Sequence, residues 1–170
     1  MLRCVPVVDA SNPPAAARKR VVLSTPYFIP DEPFQEALQT AAQSGVEVHL
    51  VVCRQIDRWS VGLAQRSYYE ELLEAGVHIH LYKRAFLHAK HVSVDDAAVL
   101  IGSSNMDIRS FALNAEISLL FYDPQVVARV REIQEHYLAG SEALTLEGWK
   151  RRSLFVRTAE NTARLVDSIL

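Results

Sequence analysis

Cysteine is scarce in this 170-residue chain, with Cys4 and Cys53 the two thiols. Two cysteines cannot build a disulfide framework or a cysteine-based zinc site, and they leave the redox compartment open. Long apolar runs are missing as well. None approaches the roughly 18 residues of a membrane span, and residues 1–20 lack the continuous apolar core of a signal peptide. Nothing here is expected to cross a membrane. Nor is there a charge excess of one sign: 18 Lys and Arg face 20 Asp and Glu. Without a global field to attract a polyanion, nucleic acid is not the expected partner. Repeats of solenoid length and low-complexity runs are absent, and the length suits one domain with a real core.

What is present is an alternation of strands and helices. Residues 1–20, with Asn12-Pro13-Pro14 and then Arg18-Lys19-Arg20, read as a linker or displaced end, the basic triplet more simply solvated than bound to headgroups. The domain proper is 21–170. Val21–Thr25 reads as a short buried strand. Asp31 offers an N-cap, Pro33 sits in the first turn, and Phe34, Leu38, Ala41 and Ala42 form a helical stripe ending at Gly45. Val46–Cys53 and Val77–Tyr82 are strands flanking a helix from Gly62 to Ala75, closed by Gly76. Later, Asn114–Tyr122 reads as a strand. Asp123-Pro124 opens a helix with Val126, Val130, Ile133 and Tyr137 in register, and Ser153 caps a last helix carrying Phe155, Ala159, Ala163 and Val166. This order predicts an α/β fold: a mixed sheet sandwiched between helices in a single domain.

The most informative stretch is Phe86 to Ser110, FLHAKHVSVDDAAVLIGSSNMDIRS. Leu87–Asp95 reads as a strand and Ala97–Ile101 as its partner, with a tight turn at Asp95-Asp96. Antiparallel pairing then sets Lys90 opposite Ile101 and His88 opposite Ser103; a register shifted by two puts Asn105 there instead. Either way His, Lys, Ser and Asn meet at one sheet edge. Phosphoryl transfer needs that set: a nucleophile or general acid, a fixed positive charge, and neutral donors for phosphate oxygens.

The spacing His88-x-Lys90-x4-Asp95, followed by Gly102-Ser103-Ser104-Asn105, resembles the signature of the phospholipase D superfamily. Thr25 to Asp31 (TPYFIPD), Arg66-Ser67-Tyr68, Leu72 to Val77, Asn105 to Ser110, Asn114-Ala115-Glu116 and the tail from Trp149 narrow the resemblance to cardiolipin synthases, from about Ala15 to the end. It implies a phospholipase-D-like fold and phosphatidyl transfer between two phosphatidylglycerols through a phosphohistidine, releasing glycerol, without metal or other cofactor. It further implies an anionic phospholipid substrate at a bacterial-type cytoplasmic membrane surface. Such enzymes usually have amino-terminal membrane helices and two catalytic halves, each with its own motif. This sequence has one motif and reads as the second half, so a partner half or a second copy is expected to supply the other histidine. Two alternatives stay open, a homodimeric phospholipase-D-type nuclease or phosphodiesterase and an inactive remnant.

Residue by residue, the resemblance makes His88 the acid/base, with the nucleophile role left open. Lys90 is a phosphate clamp, with Ser103 and Asn105 as donors and Gly102 as a structural member of the motif. Asp95 has the wrong parity, and at 7 residues along a strand it lies about 23 Å from His88, so it reads as a turn residue. A proton-transferring histidine needs its second nitrogen held, and Glu116, isolated among apolar residues, is the expected acceptor. Arg109 either grips a second phosphate or pairs with Asp107. Tyr27 and Phe28 line an entrance or pack the core. His78 and His80 share a strand face, but no third metal ligand is evident.

Overall fold

The computed structural model describes Pro14, residues 17–112 and residues 114–164. Most of the expected amino-terminal linker therefore lies outside the described residues, while Arg20 already belongs to the first strand, β1 (Arg20–Thr25). Val21 and Leu23 face one core and Val22 another, so β1 is apolar on both sides, as a central strand must be.

The chain continues through β2 (Phe28–Ile29), α1 (Glu32–Gln43), β3 (Glu47–Cys53), α2 (Trp59–Ser67), α3 (Tyr69–Glu74) and β4 (His78–Tyr82). It then forms β5 (His91–Val94), β6 (Ala98–Gly102), β7 (Met106–Asp107) and α4 (Ile108–Ala112). β8 (Ser118–Phe121), α5 (Pro124–Ala139), β9 (Ser141–Ala143), α6 (Leu146–Lys150) and α7 (Leu154–Arg164) complete it. Among the described residues seven strands form one mixed sheet, β8-β6-β5-β1-β3-β4-β9, with β1, β3 and β4 parallel. β2 and β7 pair separately, in parallel.

One sheet face packs Leu23, Val48, Leu50 and Ile79 against Phe34 and Leu38 of α1, Tyr69, Leu72 and Trp149. Each such side chain stabilises the fold by roughly 1.5–3 kcal/mol. The other face carries Val22, Val51 and Tyr82 under Tyr137 and Leu138 of α5, with Val99 against Val127 and Val130. Helices on both faces of a mixed sheet are the architecture expected. The Asp31 carboxylate caps α1 by accepting from the Phe34 N–H at 3.1 Å. Gly45, at φ 90°, ends it in a conformation that a side chain would strain.

Five expectations need correction. The helix expected over 62–75 breaks at Tyr68. The Tyr68 N–H turns to the Gln65 carbonyl at 3.4 Å, a tightened last turn that closes α2. Ser67 Oγ also donates to the Ala64 carbonyl at 2.6 Å, which competes with the helical ladder. In the hairpin, β5 starts at His91 rather than Leu87, and the loop has three residues, Asp95 to Ala97. The register moves by one, pairing His91 with Ile101 and Val94 with Ala98. Asp95 sits at φ 51°, a left-handed conformation that Asp tolerates better than most residues.

The strand expected over 114–122 shrinks to β8, because Ser103 Oγ takes the Ile117 N–H at 3.1 Å and the preceding residues run as a loop. On α5 the buried stripe is Val127, Val130 and Gln134, and Ile133 is exposed. Gln134 carries no apolar signal, yet it bonds Ser93 Oγ (2.7 Å), the Val22 carbonyl (3.2 Å) and His91 Nδ1 (3.0 Å). On α7, Phe155 is 85% exposed and Glu160 is buried instead. Val166 lies outside the described residues. The helix is fixed by polar pairs: Arg157 to Glu70 at 2.8 Å, Arg164 to Glu71 at 2.6 Å, and Arg152 to Glu160 at 2.6 Å. No helix among the described residues is long and apolar enough to cross a membrane.

Candidate active site

His88 and Lys90 lie in the extended stretch that delivers the chain to β5. Its anchors are Leu87, buried with its N–H on Cys53 Sγ at 3.3 Å, and His91, buried under α5. Two packed residues thus hold an exposed histidine and a half-buried lysine at the sheet's end. The Lys90 ammonium donates toward the His88 ring, with Nζ 3.1 Å from Nε2 and 3.3 Å from Nδ1, and to the His88 carbonyl at 3.2 Å. That donation requires an unprotonated ring nitrogen facing Lys90. Burial pulls the Lys90 pKa down, partly offset by the negative charges of Glu116 and Asp107. Both acids are therefore close enough to be felt at Nζ.

The loop after β6 brings the next members. Gly102 closes the edge: a Cβ there would stand 2.6 Å from the Ile117 carbonyl oxygen. Ser103 Oγ donates to Glu116, and the Glu116 carboxylate also takes Asn114 Nδ2 at 3.4 Å. The expected contact between Glu116 and His88 is not formed. The shortened strand β8 leaves Glu116 in the loop facing Ser103, and its influence reaches Lys90 through space instead.

Asn105 is set by its backbone. Its N–H donates to Ser110 Oγ at 3.2 Å, and the next N–H, of Met106, donates to Thr25 Oγ1 at 3.3 Å. The side-chain Oδ1 is buried with no partner, an arrangement that costs free energy unless something is there to bind. Asp107 accepts from the Ser110 N–H at 2.7 Å, so its expected role as a simple partner for Arg109 is at least shared.

Asn105, Asp107 and Arg109 line a cavity of ≈ 290 Å³ with Tyr27, Ile29 and Arg58. Tyr27 is thus at a cavity wall, whereas Phe28 is core. The Tyr27 hydroxyl donates to Asp57, 2.8 Å from each carboxylate oxygen. Burial, then the Asp57 hydrogen bond and charge, push the Tyr27 pKa up to about 12. Sequence reasoning passed over Asp57 and Arg58, which lie in an irregular segment with no motif. A second cavity of ≈ 160 Å³ lies behind Lys90, against Ser104 and Ser118.

Asp95 stands at the far end of β5. Its carboxylate accepts three backbone N–H groups, from Arg18 (3.1 Å), Lys19 (2.8 Å) and Arg20 (2.8 Å). It ties the hairpin to the entry of β1 and touches no member of the site.

His78 and His80 meet a third histidine that the sequence reading overlooked. His49 Nε2 is 2.8 Å from Glu47 and its Nδ1 is 3.0 Å from His80 Nε2, while His78 stacks on it at 5.0 Å. With Nε2–H given to Glu47, His49 Nδ1 accepts from His80. His49 thus spends one nitrogen on Glu47 and the other on His80, and among the described residues no group of three or more ligating side chains could hold a metal ion.

A lysine ammonium resting on an exposed imidazole at the end of the sheet suits the transfer of a phosphoryl group. Comparison with known proteins agrees in kind. The family model for "Cardiolipin synthase, PLD-like domain" matches residues 15–138. A cardiolipin synthase of Clostridium perfringens is 39% identical over 155 residues, which is 91% of this chain and 33% of that protein. Cardiolipin synthase 1 of Staphylococcus aureus is 41% identical over 155 residues, 91% of this chain and 31% of its own. The chain thus spans about a third of the length of these curated relatives. Among solved structures, phosphatidylserine synthase of Haemophilus influenzae superposes with TM-score 0.73 at 22% identity, covering 91% of this chain and 42% of that one. Nuc of Salmonella typhimurium, a phospholipase D family member, gives 0.67 at 18% identity, covering 78% of this chain and 86% of that one. Both show a shared fold.

Proposed function

Since this chain belongs to the cardiolipin synthase family of phospholipase-D-like domains, we propose that it is one catalytic half of a phosphatidyltransferase. It joins two phosphatidylglycerols into cardiolipin and releases glycerol through a phosphohistidine. One histidine nitrogen attacks phosphorus, and the bond from phosphorus to the glycerol oxygen breaks. The other histidine protonates that oxygen, so glycerol leaves. The hydroxyl of a second phosphatidylglycerol then attacks, its proton goes to the same acid/base, and the phosphorus–nitrogen bond breaks. His88 takes the acid/base part. Lys90 shifts from the imidazole to the phosphate, where it neutralises the charge that develops, and the freed ring nitrogen takes up from solvent the proton that it then gives to the glycerol oxygen.

The observation that carries this reading is the Lys90 ammonium resting on the His88 ring. Ser103 serves as a further donor once Glu116 releases it, and Arg109 meets a second phosphate from the cavity wall. One histidine of this motif is half of the required pair, so a second half supplies the other. Its docking surface is supported by β8, an edge strand whose Leu119 is 58% exposed, with Ile117 before it 71% exposed, next to the Ser103–Glu116 contact. The substrate places the assembled enzyme at an anionic membrane surface.

The test uses vesicles of phosphatidylglycerol with the chain alone and with an added amino-terminal half from a relative. Cardiolipin and glycerol are measured, together with acid-labile phosphate on protein. Product that vanishes in His88→Ala supports the reading. Self-association with cleavage of DNA or a soluble phosphodiester, but not of lipid, replaces it with a homodimeric nuclease or phosphodiesterase. A folded chain inert in every arm is the remnant.

A further inference from the structure

His88 lacks the hold that its task requires. An imidazole that moves a proton must keep one orientation through the reaction, yet the carboxylate expected to hold it, Glu116, faces Ser103. Among the described residues the polar partner of the ring is the Lys90 ammonium. It stands almost midway, 3.1 Å from Nε2 and 3.3 Å from Nδ1, so it does little to fix the ring's rotation. It also leaves for the phosphate during the reaction. Resting on the phosphatidyl-transfer reading, we infer that Phe86 is the positioning residue for His88: its ring, stacked on the imidazole and held in place through the Cys53 thiol, sets the plane from which His88 delivers its proton.

Three links lead there. The first is the direction of the side chains. Leu87 is buried in the core under α5, in one cluster with Cys53 and Tyr82. In an extended segment successive side chains point to opposite sides, so an inward Leu87 turns both Phe86 and His88 outward. Their ring centroids lie 6.1 Å apart with 21° between the planes, inside the roughly 4.5–7 Å range of interacting aromatic pairs.

The second is the backbone beneath the stack. Cys53, the last residue of β3, is buried between the strands β1 and β4. Its Sγ accepts from the Leu87 N–H at 3.3 Å and donates to the Ala85 carbonyl at 3.9 Å. Both chain neighbours of Phe86 thus meet one sulfur on a central strand. A thiol is a weak donor and a weak acceptor, but the two contacts act together with the packing of Leu87. The third link is chemical. A stacked phenyl ring fixes the imidazole plane without engaging either nitrogen. His88 can therefore take up a proton and give it to the glycerol oxygen while the contact that orients it stays intact. A carboxylate in that place would have claimed one nitrogen.

The experiment follows the stack and the turnover separately. In the whole chain, nuclear Overhauser contacts are expected between the ring protons of Phe86 and those of His88, the latter assigned by their loss in His88→Gln. Turnover is measured with the chain and an amino-terminal half from a relative on vesicles of phosphatidylglycerol, per folded protein. Phe86→Leu should lower kcat roughly tenfold and leave KM unchanged, short of the loss on the order of 10²-fold that a 1 Å misplacement can cause. Phe86→Tyr, which keeps the ring, should keep kcat. Cys53→Ala should weaken the ring contacts and lower kcat, and Cys53→Ser should preserve more of both; full contacts and full kcat in Cys53→Ala remove the thiol from the account. Missing ring contacts in the unaltered chain, or an unchanged kcat in Phe86→Leu, overturn the inference. So does a raised KM with unchanged kcat, which makes Phe86 a lipid contact instead. If the unaltered chain keeps its ring contacts but shows no turnover, the phosphatidyl-transfer reading fails and the positioning role falls with it, leaving the stack as packing alone.

Discussion

Asp95 belongs to the spaced motif, yet replacing it should damage the fold and spare the chemistry. Its carboxylate receives the N–H groups of Arg18, Lys19 and Arg20 at 2.8–3.1 Å, and its backbone sits at φ 51°. In Asp95→Ala the part-buried Arg20 N–H loses a charged acceptor, worth about 1.5–3 kcal/mol, while water partly replaces the two exposed bonds. Alanine at positive φ adds about 1–2 kcal/mol. The expected cost is about 3–4 kcal/mol, a large share of the roughly 5–15 kcal/mol that holds a domain of this kind together. Asp95→Asn keeps tolerance of the left-handed backbone and one acceptor oxygen, so its cost is about 1–2 kcal/mol. Urea unfolding followed by circular dichroism measures both, and turnover is assayed on the fraction that stays folded. Full stability in Asp95→Asn with turnover reduced on the order of 10²-fold or more, the scale of a lost acid/base group, would refute the reasoning.

Acid should loosen the α5 face of the sheet. Burial lowers the His91 pKa from 6.5 to about 4, and His80 moves equally for the same cause with added repulsion from His49 and His78. The unfolded chain therefore binds protons that the folded one refuses. Stability is full above about pH 6.5 and falls as pH drops from there toward 4, by on the order of 3 kcal/mol for His91. Unfolding midpoints between pH 7 and 4.5 should show this slope, and His91→Gln should flatten it; an unchanged slope would remove His91 from the account. Arg152→Ala strands the Glu160 carboxylate, which is 1% exposed and held at 2.6 and 2.7 Å by Arg152 Nη1. It should cost about 3–5 kcal/mol, and Arg152→Met with Glu160→Leu should restore most of it; a single variant as stable as the double would show that the pair is immaterial.

The fold was legible where local chemistry and burial agree. Asp31 before Pro33 starts α1 because a carboxylate and a fixed φ both favour it. The central strands announce themselves because each is buried on both faces. Illegible were the elements whose partners are polar or distant. Gln134 and Glu160 occupy core positions that pattern reading reserves for apolar residues, and each is tolerated because its bonds cross 41 to 112 residues for Gln134 and 8 for Glu160. β2 and β7 have two residues each and exist through pairing with one another. No window along the chain holds that information.

The site divides along the same line. The short spacings do account for Lys90, whose carbonyl takes the Gly102 N–H at 3.1 Å at the start of the loop that carries Ser103 and Asn105, whether the register is the expected one or its neighbour. Which side chain touches which does not follow. The expected hold of Glu116 on His88 assumed a strand continuous from Asn114. Once Ser103 Oγ claims the Ile117 N–H, that strand begins at Ser118 and the carboxylate turns to Ser103. A single hydroxyl thus draws the acid away from the expected imidazole to Ser103 itself. The Tyr27–Asp57 bond is the converse case: 30 residues separate its partners, no pattern links them, and the pair exists because the loop holding Asp57 passes the end of β1. Residue types at a site are written locally, whereas its hydrogen-bond pairing is decided by where the flanking strands stop.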